Sequence, residues 1–415
     1  MRNLCLISHG QPSANPRLVR DAGILAESGY DVRVVTAQIL PHLASHDERL
    51  AHGAKWRFEP LVFHRRRNGS PSWNYVRARR RMSAAFATWL PTEALVARAY
   101  GYATPELAAA AGRLPADLFI AYQHNSLPAA KWAADKHRAR FALDAQDLLA
   151  DCRAEPVAFV QSIERRHLQS CAYVSTMSMA AATRLKETNN LTRDPIVLRN
   201  TPRLGERDGA IPPKARDRSG PISLYWFGQT IGRGSCADQI LEAMPLLSRP
   251  VRLALRGNPN DVFVTQLRQR AQALGLNEQL TILPRAEPAE MVRLAAEHDV
   301  IFGAQPGNEL FNQMAIGNKV FTGMMAGMAL ALSDTIAHRE LLAEASGCGF
   351  LFPDGDIRSL AAQLDKLITN PDELQRMKVA SWELAEKKFN WERESKTLLH
   401  AIDRILAVPS AAITA

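Results

Sequence analysis

Residues suited to gripping phosphate fall in two stretches of the C-terminal half. In the first, an apolar run ending at Phe227-Gly228 is followed shortly by Arg233-Gly234, so a guanidinium with a bidentate donor fork stands just past a strand–glycine turn. The second is the run Asn318–Asp334. It reads as a loop, a short helix packed by small residues, a glycine stop at Gly327 and a buried strand. The unpaired backbone N–H groups at such a helix start can hold a diphosphate. Lys319 would add a point charge there, and the N–H groups around Thr322–Met324 would complete the cradle. In the N-terminal half, His9-Gly10 and His124 each lie at the end of an apolar run, where parallel sheets place their sites. Glycine at position 10 lets a backbone come close to phosphate or acceptor. Asp144 and Asp147 follow another apolar run, with Asp147 suited to capping the next helix.

Two similar units must position these groups. Leu4–Ile7 is followed by a glycine turn, helical spacing over Leu18–Ser28, Gly29-Tyr30 and a strand Asp31–Val35. Ile222–Phe227 is followed by Gly228, a helix Ala237–Leu247 and a strand Val251–Leu255. Strand–glycine–helix–strand is how a parallel, doubly wound α/β domain begins. A chain of 415 residues exceeds one core, so two domains are expected. Residues 1–202 form the first and 222–390 the second, joined by a linker 203–221 rich in glycine, proline and charge. Asp354-Gly355-Asp356 has the spacing of a metal-binding acid pair, but it follows a predicted strand and reads as a turn; no metal is expected.

The net charge of +9 is uneven. No acid lies between Glu59 and Glu93, yet Arg65, Arg66, Arg67, Arg77, Arg79, Arg80 and Arg81 all do. Local charge implies a local partner. Read as a helix, Trp73–Leu90 places Met82, Phe86, Trp89 and Leu90 on one face, with Arg77, Arg80 and Arg81 opposite. Such a basic, tryptophan-bearing segment suits docking on an anionic leaflet, or a helix packed on its own domain with a solvated basic face. Nucleic acid is not expected as a partner. No apolar run approaches membrane-span length, and Leu4–Ile7 is too short for a signal segment, so a cytoplasmic protein is expected. Cys5, Cys152, Cys171, Cys236 and Cys348 are scattered and odd in number, which reads as reduced thiols.

In this order and spacing the motifs resemble those of the retaining nucleotide-sugar glycosyltransferases of family 4, over almost the whole chain. Ser8-His9-Gly10 with Gly29-Tyr30-Asp31-Val32 is similar to the family's opening glycine loop. Asp117-Leu118-Phe119-Ile120 with His124, Leu127-Pro128-Ala129-Ala130 and Asp144-Ala145-Gln146-Asp147 resembles its middle segment. Phe227-Gly228 with Arg233-Gly234, and Asn318-Lys319 through Gly327, resemble its two donor-side motifs. The departures are specific. The family's paired glutamates fall on Met314 and Thr322, and its two basic donor-side residues on Gln229 and Arg233. A subgroup from bacterial surface-polysaccharide pathways is similar here in carrying Asn-Lys-x-Phe-Thr.

The resemblance implies a GT-B fold, two facing Rossmann-like domains with a cleft between them, and a C-terminal helix 391–415 crossing back to the first. It also implies a hexosyltransferase that uses a UDP- or GDP-linked sugar as substrate, with no further cofactor. Gly10, Gly228, Arg233, Gly234, Asn318, Lys319 and Thr322 would lie on the donor. Glu309 and Asn312 would replace the missing ribose-binding carboxylate, and His124 would sit by the donor sugar as a catalytic group together with Arg233. His9, Asp144, Arg77, Arg80 and Arg81 would be on the acceptor and membrane side, the acceptor being a lipid-linked glycan. Without a carboxylate pair, a front-face path is favoured, in which the leaving phosphate assists the acceptor hydroxyl. Two other classes fit less well: a non-catalytic nucleotide-sugar-binding subunit, and a GT-B nucleotide-sugar epimerase, which needs more acid–base groups than this chain offers.

Overall fold

The computed structural model describes residues 1–63, 71–216 and 220–408. Arg65, Arg66 and Arg67 lie outside the described residues. The chain forms two compact units, Met1–Leu198 with Ser395–Ala415, and Arg199–Glu394.

The first unit is built on seven parallel strands: β1 (Asn3–Ser8), β2 (Asp31–Gln38), β3 (Arg57–Val62), β4 (Leu118–Tyr122), β5 (Arg140–Gln146), β6 (Val174–Thr176) and β7 (Ile196–Val197). Their order is β3-β2-β1-β4-β5-β6-β7. Central β1 reads Leu4-Cys5-Leu6-Ile7 without alternation because helices cover both faces of a parallel sheet. It pairs Leu4 with Val32 on one side and with Leu118 on the other. The helix after it starts at Pro16, two residues before the apolar spacing begins. Asn15 caps it by accepting from the Leu18 N–H at 3.2 Å, and proline takes the first-turn place that needs no N–H. Gly29, at φ +90°, then makes the left-handed turn into β2. Leu398 and Ile402, from the helix Trp391–Ala407, are buried in this unit's core with Leu4, Leu25 and Val34.

The second unit has six parallel strands: β8 (Ser223–Ile231), β9 (Arg252–Pro259), β10 (Leu280–Leu283), β11 (Val300–Phe302), β12 (Ala329–Ser333) and β13 (Gly349–Phe352). Their order is β10-β9-β8-β11-β12-β13. Both sheets thus reverse strand order beside their first strand, between β1 and β4 and between β8 and β11. The crevice outside the carboxyl ends at that reversal is where doubly wound sheets bind ligands.

Two local expectations change. Gly228 is not a turn: β8 continues through a register irregularity to Ile231, and the chain turns at Gly232–Ser235. Close approach is the reason for glycine there, since a Cβ on Gly228 would stand 2.5 Å from the Trp226 ring. The segment 203–221 is not a free linker over its described part. It belongs to the second unit, with Arg207 donating to Met325 O at 3.2 Å and Trp382 O at 2.8 Å and its guanidinium 3.8 Å from the Trp382 ring centre. No helix among the described residues is long and apolar enough to cross a membrane.

Candidate functional site

In the second unit the helix Asn318–Met325 lies against β11 through Gly323. A Cβ on Gly323 would meet the Ile301 side chain at 2.4 Å, so only glycine permits this approach. Gly317 precedes the helix and provides no side-chain cap, which leaves the first-turn N–H groups to another acceptor. The unpaired ones belong to Asn318 and Lys319, not to Thr322–Met324, because the Val320 N–H already bonds Gly317 O at 3.0 Å. The helix starts one turn earlier than expected, so N–H groups from Thr322 onward are inside its hydrogen-bonded body. Thr322 itself is buried.

Lys319 folds back over this helix start: its Nζ is 3.3 Å from where a Cβ on Gly317 would stand and 5.6 Å from the Trp226 ring centre. Burial lowers its pKa, and the nearby Cys236 thiol opposes that shift. A cation at the positive end of a helix dipole, with no carboxylate partner among the described residues, is an arrangement that an anion would complete. Cys236 ends the turn bearing Arg233, at φ +51°, and burial pushes its thiol up to about 12 while Lys319 pulls the other way. Lys319 and the Arg233 turn therefore share one electrostatic neighbourhood beyond β8. Arg233 and Gly234 are exposed, and the Arg233 side chain has no hydrogen bond or ion pair among the described residues.

The surrounding loops are tied to one another. Asp354 accepts from Gly307 N–H at 2.7 Å and from Gln239 Nε2 at 2.7 Å, and Asp356 caps the following helix by accepting from Ser359 N–H at 2.9 Å. The spaced acid pair thus makes a turn and a cap. Glu309 begins the short helix Leu310–Met314, and both it and Asn312 are part-exposed. Asn318 is exposed and accepts from Asn200 Nδ2 at 2.8 Å. His338, which sequence reasoning missed, is buried behind this site. Its Nδ1 lies 2.8 Å from Ser333 O, and burial, with Lys319 contributing, lowers its pKa to about 4. A histidine alone between a cap and an amphipathic stretch gives no signal of that role.

The carboxyl ends of the first sheet differ from expectation. His124, expected by the donor sugar, is fully buried, with Nε2 2.8 Å from the equally buried Glu164. The strand stops at Tyr122, and a 3₁₀ turn over His124–Ser126 points the ring inward. Asp144 is buried too, its carboxylate 2.9 Å from Arg17 Nε and accepting from Ser175 Oγ at 2.7 Å. His9 is buried beneath Tyr102, which donates to its carbonyl oxygen at 2.9 Å, and burial lowers the ring's pKa to about 3. Gly10 remains exposed. Asp147 is pushed up to about 6, by burial first and Asp144 second.

What the first sheet presents instead is amide. Gln123 and Gln146, at the ends of β4 and β5, are part-exposed and left-handed, at φ 65° and 56°. Their side-chain amides lie 3.5 Å apart, and Gln146 Nε2 also donates to Asp144 Oδ2 at 3.0 Å. Strained non-glycine backbone of this kind concentrates at functional sites. Glutamine carries no sequence mark of it. Of the basic residues, Arg77, Arg80 and Arg81 are exposed on the helix Pro71–Ala87.

Residues 235–382 match the family of glycosyl transferases group 1. No curated protein sequence matches the chain. Among solved structures, the chain is similar to Anabaena HepE in complex with UDP, at 17% identity and a TM-score of 0.71 over 97% of this chain and 100% of that one. It is also similar to a Rickettsia africae glycosyltransferase, at 11% identity and 0.70 over 98% and 99%. A third is WaaG, a glycosyltransferase involved in lipopolysaccharide biosynthesis, at 13% identity and 0.59 over 95% and 98%. At these identities the structural likeness is one of fold, the GT-B fold. The family match falls on the unit that carries Lys319 and the glycine-packed helix, and the chain is a glycosyltransferase with the GT-B fold.

Proposed function

We propose that the second unit holds a nucleotide-diphosphate sugar, with Arg233, Lys319 and the first-turn N–H groups of the helix Asn318–Met325 on the diphosphate. The supporting observation is electrostatic: two cations without a carboxylate partner among the described residues stand near an uncapped helix start. As the sugar departs, negative charge grows on the β-phosphate, and fixed donors aimed there stabilise the transition state most. Gly228 and Gly234 keep the surrounding backbone low, while Asn318, Glu309 and Asn312 are the hydroxyl-binding groups for ribose and sugar. HepE has been solved with UDP-glucose, which makes a UDP-sugar the first donor to test, before GDP-linked ones.

The reaction proceeds with retention by the front-face path. The C1–O bond to the β-phosphate breaks with its electron pair going to the phosphate oxygen. The acceptor hydroxyl oxygen bonds C1 from the same side, and its proton passes to the leaving phosphate, with no metal in the step. The acceptor is a lipid-linked glycan in cell-surface polysaccharide synthesis, and the protein works in the cytoplasm on the inner face of the membrane. The amides of Gln123 and Gln146 suit uncharged sugar hydroxyls better than the buried His124 and Asp144 do. Single-turnover transfer or hydrolysis of UDP-glucose tests the donor assignment: Arg233→Ala should slow it by about two orders of magnitude. Normal turnover by that variant would reject it.

A further inference from the structure

The helix Pro71–Ala87 packs one side on the first unit and leaves large apolar side chains on the other. Val76, Ser83 and Ala87 are buried against the first unit. Arg79 holds the helix down, donating to both Glu106 carboxylate oxygens at 2.6 and 2.7 Å and to Tyr102 O at 2.8 Å. Arg80 Nε adds a bond to Ala99 O at 3.1 Å. On the outer side Met82 is 61% exposed and Phe86 59%. The helical path continues for one more turn, since Leu90 N–H reaches Phe86 O at 2.9 Å, and this turn brings Leu90, 63% exposed, and Trp89, 90% exposed, onto the same side. Large apolar side chains of this kind gain by leaving water. Four in a row left in water therefore mark a contact surface. Arg77 and Arg81 are exposed on the free flank and have no ion pair among the described residues.

We propose that this ridge inserts into an anionic lipid bilayer, with Trp89, Phe86, Met82 and Leu90 entering the acyl boundary and Arg77 and Arg81 meeting headgroup phosphates. The proposal rests on the reading above that the acceptor is membrane-borne, and it names the surface that brings the enzyme to it. Two features favour lipid over a protein partner. Four side chains on one helix cannot supply the ~800 Å² per partner of a standard protein interface, whereas a bilayer needs no matching surface. The stretch is also of one sign, with no acid between Glu59 and Glu93, which suits a uniformly anionic plane.

The full chain, mixed at low salt with vesicles of phosphatidylcholine containing one-third phosphatidylglycerol, tests this by flotation. The protein should float with these vesicles and not with pure phosphatidylcholine, and the emission of Trp89 should shift to the blue, a change that Trp89→Phe removes. Phe86→Ser/Trp89→Ser and, separately, Arg77→Glu/Arg81→Glu should each weaken binding by about tenfold or more. All four positions are exposed, so an unchanged thermal transition and unchanged UDP binding will show that fold and donor site are intact. A parent protein that stays with the soluble fraction overturns the proposal. So does binding that survives both double variants. A concentration-dependent dimer that Trp89→Ser dissociates, without vesicle binding, would assign the ridge to a second copy and equally overturn it. Failure of vesicle binding with UDP binding retained would leave the donor reading standing.

Discussion

At the carboxyl ends of the first sheet the buried polar groups pair within the fold: Arg17 lies 2.9 Å from Asp144, and His124 lies 2.8 Å from Glu164, all four side chains buried. At the carboxyl ends of the second sheet, Arg233 stands exposed without an acceptor among the described residues, and Lys319 leans on an indole beside an uncapped helix start. The same strand order carries both edges, so topology does not separate them. What does is whether the charges are neutralised within the fold. A closed ionic network holds a sheet edge in shape and offers a ligand little but amide. Cations left open can take a charge that arrives with a substrate, which is the role proposed for them.

Several substitutions would break or sharpen that contrast. The largest effect is expected from Asp144→Ala, which strands the Arg17 guanidinium inside the first unit. Breaking a buried pair from one side costs about 3–5 kcal/mol, read as a lower midpoint in urea unfolding. Arg233→Ala should leave that midpoint where it is, and comparable destabilisation by both changes would erase the distinction.

A pH series comes next in size. The His338 ring has a folded pKa of about 4 against an ordinary 6.5, so the unfolded chain binds the proton more readily. Its contribution to stability is fully present above pH 6.5 and is lost as the pH falls from there toward 4. Between pH 7 and 5 that loss is about 2 kcal/mol, and His338→Gln should flatten this part of the stability profile. An unchanged slope in the variant would remove His338 from the account. His9, lowered to about 3 by burial, should behave alike in the first unit, over the window from 6.5 toward 3.

The smallest effect concerns the strained glutamine. Gln123 sits at φ 65° and ψ 162°, a region natural to glycine alone, so Gln123→Gly should raise stability by about 1 kcal/mol or less while weakening acceptor use. A less stable variant would mean that the conformation carries no strain.

Much of this was legible from residue order. The unalternating runs Leu4–Ile7 and Leu224–Phe227, each followed by glycine and an amphipathic stretch, specify buried parallel strands because only a sheet covered on both faces reads that way. Arg233 and Lys319 stand out in the sequence because isolated cations near glycine turns are chemically distinctive. His124 and Asp144 misled for the opposite reason. A histidine or aspartate at a strand end reads the same whether it faces solvent or a partner 20 or more positions away, and Glu164 and Arg17 are such partners. Gly228 misled because a glycine that relieves close packing looks like one that turns the chain. The backbone strain at Gln123 and Gln146 has no counterpart in composition at all.

The central claim is that the open cations serve a pyrophosphate, and a calorimetric titration of UDP and of uridine tests it most directly. The parent should bind UDP. The Arg233→Ala/Lys319→Ala variant should bind it about a hundredfold more weakly, with uridine binding nearly unchanged, because only the charged part of the ligand loses its partners. Equal UDP affinity in parent and variant would contradict the account.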